Sequence, residues 1–333
     1  MHYTQLNKRE REVISQLHSQ KKNIRYIATS LSRSPSTVSR ELQRNMDKYG
    51  EYWALDAEFR ADTRKEIPRR KRKLNEYPLL WKYVQLKLKE KWSPRQIAEK
   101  IVREYPADTT MRISSEAIYT YLYLLPRGEL KKELLLCLRK ERLERRRRTH
   151  SHKPRSFIED ATSIHERPVE TESRTIPGHW EGDLIVGKEH KSYIGTIVER
   201  TTRTLLLVHL KTKNASEVRK AFEKELRTLP KQMRLSLTYD RGTEMGEHKL
   251  FSKHMKMKVF FADPHSPWQR GTNENTNGLL RQYFPKGIDL SIYSRKDLKK
   301  VQNQMNERPR AVLNFQTPKE VFGTLLESVA VRS

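Results

Sequence analysis

The feature that most constrains the fold is a change of texture near residue 170. Beyond it, residues 180–186, 193–199 and 204–210 are consecutive runs rich in apolar and β-branched side chains, separated by only a few residues. Such runs predict three antiparallel strands joined by tight turns. Asn214 is placed to cap a helix reaching about Arg227. Residues 233–239 and 257–262 read as a fourth and a fifth strand, and helices are expected from near Thr272 and Ser294. Three strands, helix, strand, helix, strand and further helices is an α/β order.

The chain before residue 170 has the opposite grammar. Residues 1–45 predict three short helices: Asn7 with Glu10 as a capping box, Asn23 as a second cap, and Ser34 followed by Pro35 at the first helical position. Val13, Ile14, Leu17, Ile24, Ile27, Ala28, Leu31, Val38 and Leu42 are expected to face inward. Residues 50–65 read as a further helix. Residues 76–138 repeat the pattern of cap then helix at Ser93-Pro94 and at Ser114, without a strict sequence repeat. The expected organisation is a DNA-binding helical domain at 1–65, a basic linker at 66–75, and a second helical domain at 76–138. A basic linker at 139–169 and an α/β domain at 170–333 complete it. The second helical domain reads either as DNA-binding or as a spacer and dimerisation element.

Length and charge bear on partners. A chain of 333 residues is long for one core, and its net charge of +27 calls for an anionic partner. Residues 139–155 hold nine Lys or Arg against two Glu. That stretch is a solvated linker or a phosphate-binding one. Apolar runs such as residues 134–138 fall far short of the ~18 needed for a membrane span. The N-terminus shows no signal-peptide pattern, and Cys137, the only cysteine, excludes an internal disulfide or a multi-cysteine zinc site. The expectation is a cytoplasmic, nucleoid-associated protein that binds double-stranded DNA and no membrane.

Three acids stand out. Asp183 lies inside the apolar run Glu181-Gly182-Asp183-Leu184-Ile185-Val186, where an unpaired carboxylate is costly. Asp240 ends a predicted strand and precedes Arg241-Gly242-Thr243-Glu244; alone it reads as a turn residue. Glu274 lies in the block Ser266-Pro267-Trp268-Gln269-Arg270-Gly271-Thr272-Asn273-Glu274-Asn275; alone it reads as a surface residue. A helix starting near Thr272 puts Glu274, Asn277 and Arg281 on one face. Two strand-borne aspartates and a helical glutamate can converge on two hard cations, which favour oxygen ligands and support in-line displacement at phosphorus. Glu181, two residues from Asp183, shares its strand face and is either an acid standing behind the metals or an edge charge in solvent.

Taken with their flanks, these segments resemble the bacterial insertion-sequence transposases of the IS-thirty family. Gly178-His179-Trp180-Glu181-Gly182-Asp183 and Tyr239-Asp240-Arg241-Gly242-Thr243-Glu244 carry the resemblance, as does the block around Glu274, with 33 residues between Asp240 and Glu274. Arg281-Gln282-Tyr283-Phe284-Pro285-Lys286-Gly287, Asn306-Glu307-Arg308-Pro309-Arg310 and the helix-turn-helix-like Ser36-Thr37-Val38-Ser39-Arg40-Glu41-Leu42 extend it over nearly the whole chain. The resemblance implies an α/β ribonuclease-H-like catalytic domain, a mixed sheet flanked by helices, behind all-α helix-turn-helix domains. It implies a D-D-E transposase with Asp183, Asp240 and Glu274 holding two Mg2+ ions, Mn2+ substituting. Such an enzyme binds the terminal inverted repeats of its element, cleaves their 3′ ends and joins them to target DNA as a dimer or larger homo-oligomer. DNA contacts are expected from Ser36, Thr37, Ser39, Arg40 and Arg44 on the reading helix, and from Trp268, Arg270, Asn273, Asn275, Asn277, Arg281 and Lys286 near the acids. The competing reading is a helix-turn-helix regulator whose ribonuclease-H-like half is a non-catalytic scaffold.

Overall fold

The computed structural model describes residues 5–66, 72–138, 160–264 and 266–331. Most of the basic runs at 68–73 and 139–155 lie outside the described residues. The chain divides into two compact units, Met1–Glu76 and Tyr77–Ser333.

The first unit is all-helical: α1 (Lys8–Ser19), α2 (Ile24–Ser30), α3 (Pro35–Asn45), α4 (Ala54–Glu66) and α5 (Lys73–Glu76). Asn7 accepts the Glu10 N–H at 2.9 Å while Glu10 accepts the Asn7 N–H at 2.7 Å, so the capping box forms as its sequence requires. Asn23 caps α2 through the Tyr26 N–H. Ile14, Ile27, Ala28, Val38, Leu42, Tyr52 and Ala57 make the core. A buried ionic knot sits beside it, with Arg11 bound to Glu41 at 2.9 Å and to Glu58 at 2.7 Å. Two expectations are corrected. Ser34 makes no side-chain cap, because its hydroxyl pairs with that of Ser36. Ile24, at the first position of a seven-residue helix, is 39% exposed rather than inward.

The second unit opens with α6 (Pro78–Lys89), α7 (Pro94–Glu104), α8 (Ser115–Leu124) and α9 (Glu129–Cys137). Ser93 and Gln96 form a capping box on α7, and Ser114 caps α8. A mixed five-stranded sheet follows: β1 (His179–Val186), β2 (Tyr193–Glu199), β3 (Leu205–Leu210), β4 (Ser236–Tyr239) and β5 (Lys258–Phe261), in the order β3-β2-β1-β4-β5. The first three strands are antiparallel, and β4 and β5 run parallel to β1. The remaining helices are α10 (Glu170–Ser173), α11 (Ala215–Leu226), α12 (His248–Met255), α13 (Gly271–Leu280), α14 (Arg295–Glu307) and α15 (Pro318–Val331).

Strand alternation gives each sheet face its own core. Trp180, Ile197, Val208, Leu237 and Tyr239 pack with Val218 and Phe222 of α11 and Phe251 of α12. On the other face Ile185, Ile194, Val198 and Leu207 pack with Leu279 and Leu280 of α13 and Leu298 and Met305 of α14. Odd-numbered residues of β1 therefore point at α13. Gly182 faces the opposite side, where a Cβ would come within 2.7 Å of the Tyr239 ring, so only glycine lets β4 approach this closely.

The chain joins the sheet earlier than the linker boundary of 169 anticipates. Thr162 accepts the Phe261 N–H at 2.9 Å, and Ile164 is buried. Helix α7 is tied to the C-terminal part of the same unit. The Gln96 Nε2 donates to the Pro309 carbonyl at 2.6 Å, Arg308 donates to Gln96 at 3.0 Å, and Lys100 pairs with Glu320 at 2.5 Å. Among the described residues no helix is long and apolar enough to cross a membrane.

Candidate active site

The parallel register places Glu181 beside Thr238. Two residues further along, Asp183 and Asp240 come side by side where β4 has ended. The ends of parallel strands are where α/β sheets commonly place their ligand sites. Both carboxylates keep solvent access, with side chains 28% and 41% exposed. Burial first, and then the neighbouring charge of Asp240, push the Asp183 carboxyl above its ordinary range, against the opposing pull of Arg270.

Arg270 spans the pair. Its Nη2 donates to Asp240 at 3.0 Å, its Nη1 donates to the Gly182 carbonyl at 3.0 Å, and Nη1 lies 3.7 Å from Asp183. The sequence reading assigned Arg270 to DNA; the structure turns its guanidinium inward onto the two aspartates. Asn277 and Arg281 are also turned to β1. The Asn277 Nδ2 donates to Asp183 at 3.0 Å, and Arg281 reaches the Val186 carbonyl at 3.4 Å. Trp268, 71% exposed, and Lys286 do face solvent.

Glu274 lies one turn before Asn277 on α13 and is exposed. Among the described residues no group of three His, Cys, Asp or Glu is drawn together tightly enough to hold a metal ion. The structure thus brings Asp183 and Asp240 together and leaves Glu274 on the adjoining helical turn. A carboxylate the sequence reading passed over is also present. Glu244 is pushed up by burial and then by Asp240 and Asp183, which places it in the same electrostatic field. In the sequence it stands four residues after Asp240, at the end of a segment that carries the family resemblance, without a role assigned to it. Glu181, for which solvent or the metal surround was expected, is fully buried: its carboxylate accepts the Asn273 N–H at 2.9 Å and lies 3.3 Å from Arg200.

The donor set suits a hard divalent ion. It offers carboxylate oxygens at the open end of a sheet, with Asp183 raised first by burial and then by the neighbouring Asp240. In the first unit, Ser36, Arg40 and Arg44 are exposed along α3, and Thr37 and Ser39 are half-buried. The Arg40 Nε is bonded back to the Ser36 carbonyl at 2.9 Å.

A sheet of this order with paired acids at its strand ends, in a chain that begins with an all-helical unit, defines a DNA-processing protein of the integrase class. The comparisons with known proteins agree: residues 2–45 match the helix-turn-helix domain family, and residues 175–267 match the integrase core domain family. Over 324 residues the chain is 42% identical to the transposase for insertion sequence element IS1086 of Cupriavidus metallidurans, covering 97% of this chain and 96% of that one. It is 44% identical to the InsI transposase of IS30A from Escherichia coli K12, covering 94% and 82%. It is also 35% identical to the transposase of IS4351 from Bacteroides fragilis, covering 92% and 91%. The chain belongs to the IS30 family of insertion-sequence transposases. It is a DNA transposase, and the regulator reading is set aside. A divalent-metal requirement accompanies the integrase core.

Proposed function

We propose that this transposase is a D-D-E enzyme in which Asp183, Asp240 and Glu274 hold two magnesium ions, with manganese able to substitute. The observation that carries this reading is the placement of Asp183 and Asp240 at neighbouring strand ends under a helix that touches Asp183 through Asn277. Glu274 stands three residues before Asn277 on α13, and helical spacing supports placing it on a neighbouring part of the same helix face. Asp183, Asp240 and Glu274 would hold such ions, which would supply Lewis-acid stabilisation for in-line displacement at phosphorus.

The chain's own residues do the rest. Asn277 fixes the Asp183 rotamer from one side while the Leu184 N–H, 2.9 Å away, fixes it from the other. Arg270, already lodged between the aspartates, supplies a positive charge beside the path a phosphate would take. Exposed Trp268 offers a face on which a base can stack, and Lys286 a phosphate contact. The helix-turn-helix presents Ser36, Thr37, Ser39, Arg40 and Arg44 to the element's terminal inverted repeats. The reaction is 3′-end hydrolysis followed by attack of the freed 3′-hydroxyls on target DNA, in the cytoplasm at the nucleoid. Joining two ends at one target requires at least a dimer.

The test substitutes Asp240→Asn and Glu274→Gln in the full chain. Each should reduce cleavage of an element-end duplex in Mg2+ by at least ~100-fold while leaving duplex affinity within about twofold, because shape is kept and only a hard anionic ligand is lost. Cleavage at the unsubstituted rate by either variant sinks the assignment of that residue.

A further inference from the structure

Glu181 and Asn273 are neither exposed nor bound to the aspartates, yet both are wholly buried and charged or polar. Their bonds run to each other. The Glu181 Oε2 accepts the Asn273 backbone N–H at 2.9 Å, and the Asn273 Nδ2 donates to the Glu181 carbonyl at 2.8 Å. The Asn273 Oδ1 accepts the Thr196 hydroxyl at 3.1 Å, which carries the tie on to β2. Arg200, 3.3 Å from the other Glu181 oxygen, balances the charge.

The local chemistry explains why an acid stands here. Residues 271–273 form the first turn of α13, whose N–H groups have no partner within the helix, and the preceding residue, Arg270, provides no side-chain cap. A carboxylate at a helix N-terminus satisfies such a donor and complements the positive end of the helix dipole. Glu181 therefore caps α13 from another element. Arg203 adds a bond to the Thr272 hydroxyl beside it.

We infer that Glu181 and Asn273 are positioning residues that clamp the first turn of α13 to β1 and β2, and so set Glu274 against Asp183. Glu274 follows Asn273 directly in the chain and precedes Asn277, which is itself fastened to Asp183. The glutamate is thus carried between two tethers that both end on β1. Metal ligands need such support, because loss of an outer partner commonly lowers metal affinity 10–100-fold. Glu181 has no exposed surface: one carboxylate oxygen accepts the Asn273 N–H, and the other lies 3.3 Å from Arg200 without a hydrogen bond among the described residues. The inference rests on the reading of Glu274 as the third acid.

The test uses the full chain with Glu181→Ala, Asn273→Ala and Glu181→Gln. Two quantities are read: the Mg2+ concentration giving half-maximal cleavage of an element-end duplex, and amide hydrogen exchange of residues 271–277 without metal or DNA. Both alanine variants should raise the half-saturating Mg2+ by about tenfold and speed exchange in that turn, with duplex affinity kept. Glu181→Gln keeps an acceptor for the Asn273 N–H and should recover most of both losses. Should Glu181→Ala fail to fold, Asn273→Ala, which retains the backbone donor, and Glu181→Gln still decide the matter. Slower cleavage with an unchanged Mg2+ requirement, or unaltered exchange at 271–277, overturns the inference. A Glu274→Gln control separates the two readings: full cleavage by it removes the third acid and with it the purpose of the clamp, whereas loss of cleavage leaves the clamp variants to be judged on metal and exchange alone.

Discussion

Asp183→Asn should make the protein more stable and inactive at once. In the folded chain burial and the charge of Asp240 raise the Asp183 carboxyl, so the folded state holds this proton more tightly than the unfolded state does. The sign follows: the ionised form is penalised on folding, and stability falls as pH rises from the ordinary aspartate range through the raised folded value. Arg270 at 3.7 Å offsets part of this, and the upward direction shows that it does not offset all. The substitution removes the charge and keeps both hydrogen bonds. The amide oxygen still accepts from Leu184, and the new NH2 meets Asn277, whose own Oδ1 is buried without a hydrogen-bond partner among the described residues and can accept it after an amide flip. A gain on the order of 1 kcal/mol is the usual result of relaxing a strained functional site. In a unit of this size it raises Tm by about 2–4 °C. Calorimetry of both proteins in metal-free buffer at two pH values tests this. The Tm difference should grow from acid to neutral pH. A variant that melts lower at neutral pH, or by the same margin at both, refutes the account of Asp183 as an electrostatically strained acid.

Affinity for any duplex should fall steeply with salt, because a chain of net charge +27 binds DNA largely by releasing counterions; a flat response between 50 and 200 mM, the range over which such losses are typically large, would mean that the basic surface is not the binding surface. Arg40→Ala in the full chain should cost about 1–3 kcal/mol of discrimination between element-end and scrambled duplexes if Arg40 leaves its Ser36 carbonyl to pair with a guanine. Equal weakening on both duplexes, with a salt slope smaller by about one, would assign Arg40 to phosphate.

Much of the fold was legible because its signals are local. The β-branched run at 193–199 became β2 with the expected bounds, and the caps at Asn7, Asn23, Ser93 and Ser114 each start the helix they announce. Where the reading slipped, burial had been mistaken for conformation. The fourth strand was expected from Met233, but residues 231–233 form a 3-10 turn and β4 starts at Ser236; Met233 reaches the core from a turn after Pro230. At the site, strand parity correctly put Glu181 and Asp183 on one face. Parity cannot say which helix will cover that face: Asn273, expected to face DNA, is instead wholly buried as Glu181's partner. The inward contacts of Arg270 were hidden for a similar reason. An arginine in a loop of a basic DNA-binding chain reads as a phosphate ligand, and only the tertiary approach of β1 and β4 shows that two carboxylates reach it first.

The bonds from α7 to the chain's last helices also bear on how the molecule is made. Lys100 and its partner Glu320 are 220 residues apart, and Gln96 waits equally long for Arg308 and Pro309. At a synthesis rate of about 5–20 residues per second, α7 emerges from the ribosome roughly 10–40 s before the surface it docks on. The first unit has its own core and its own ionic knot, and needs none of those later residues. A nascent chain therefore acquires a folded helix-turn-helix long before its second helical region can settle against the C-terminal segment, and a chain that terminates before Arg308 leaves the polar face of α7 without its partners.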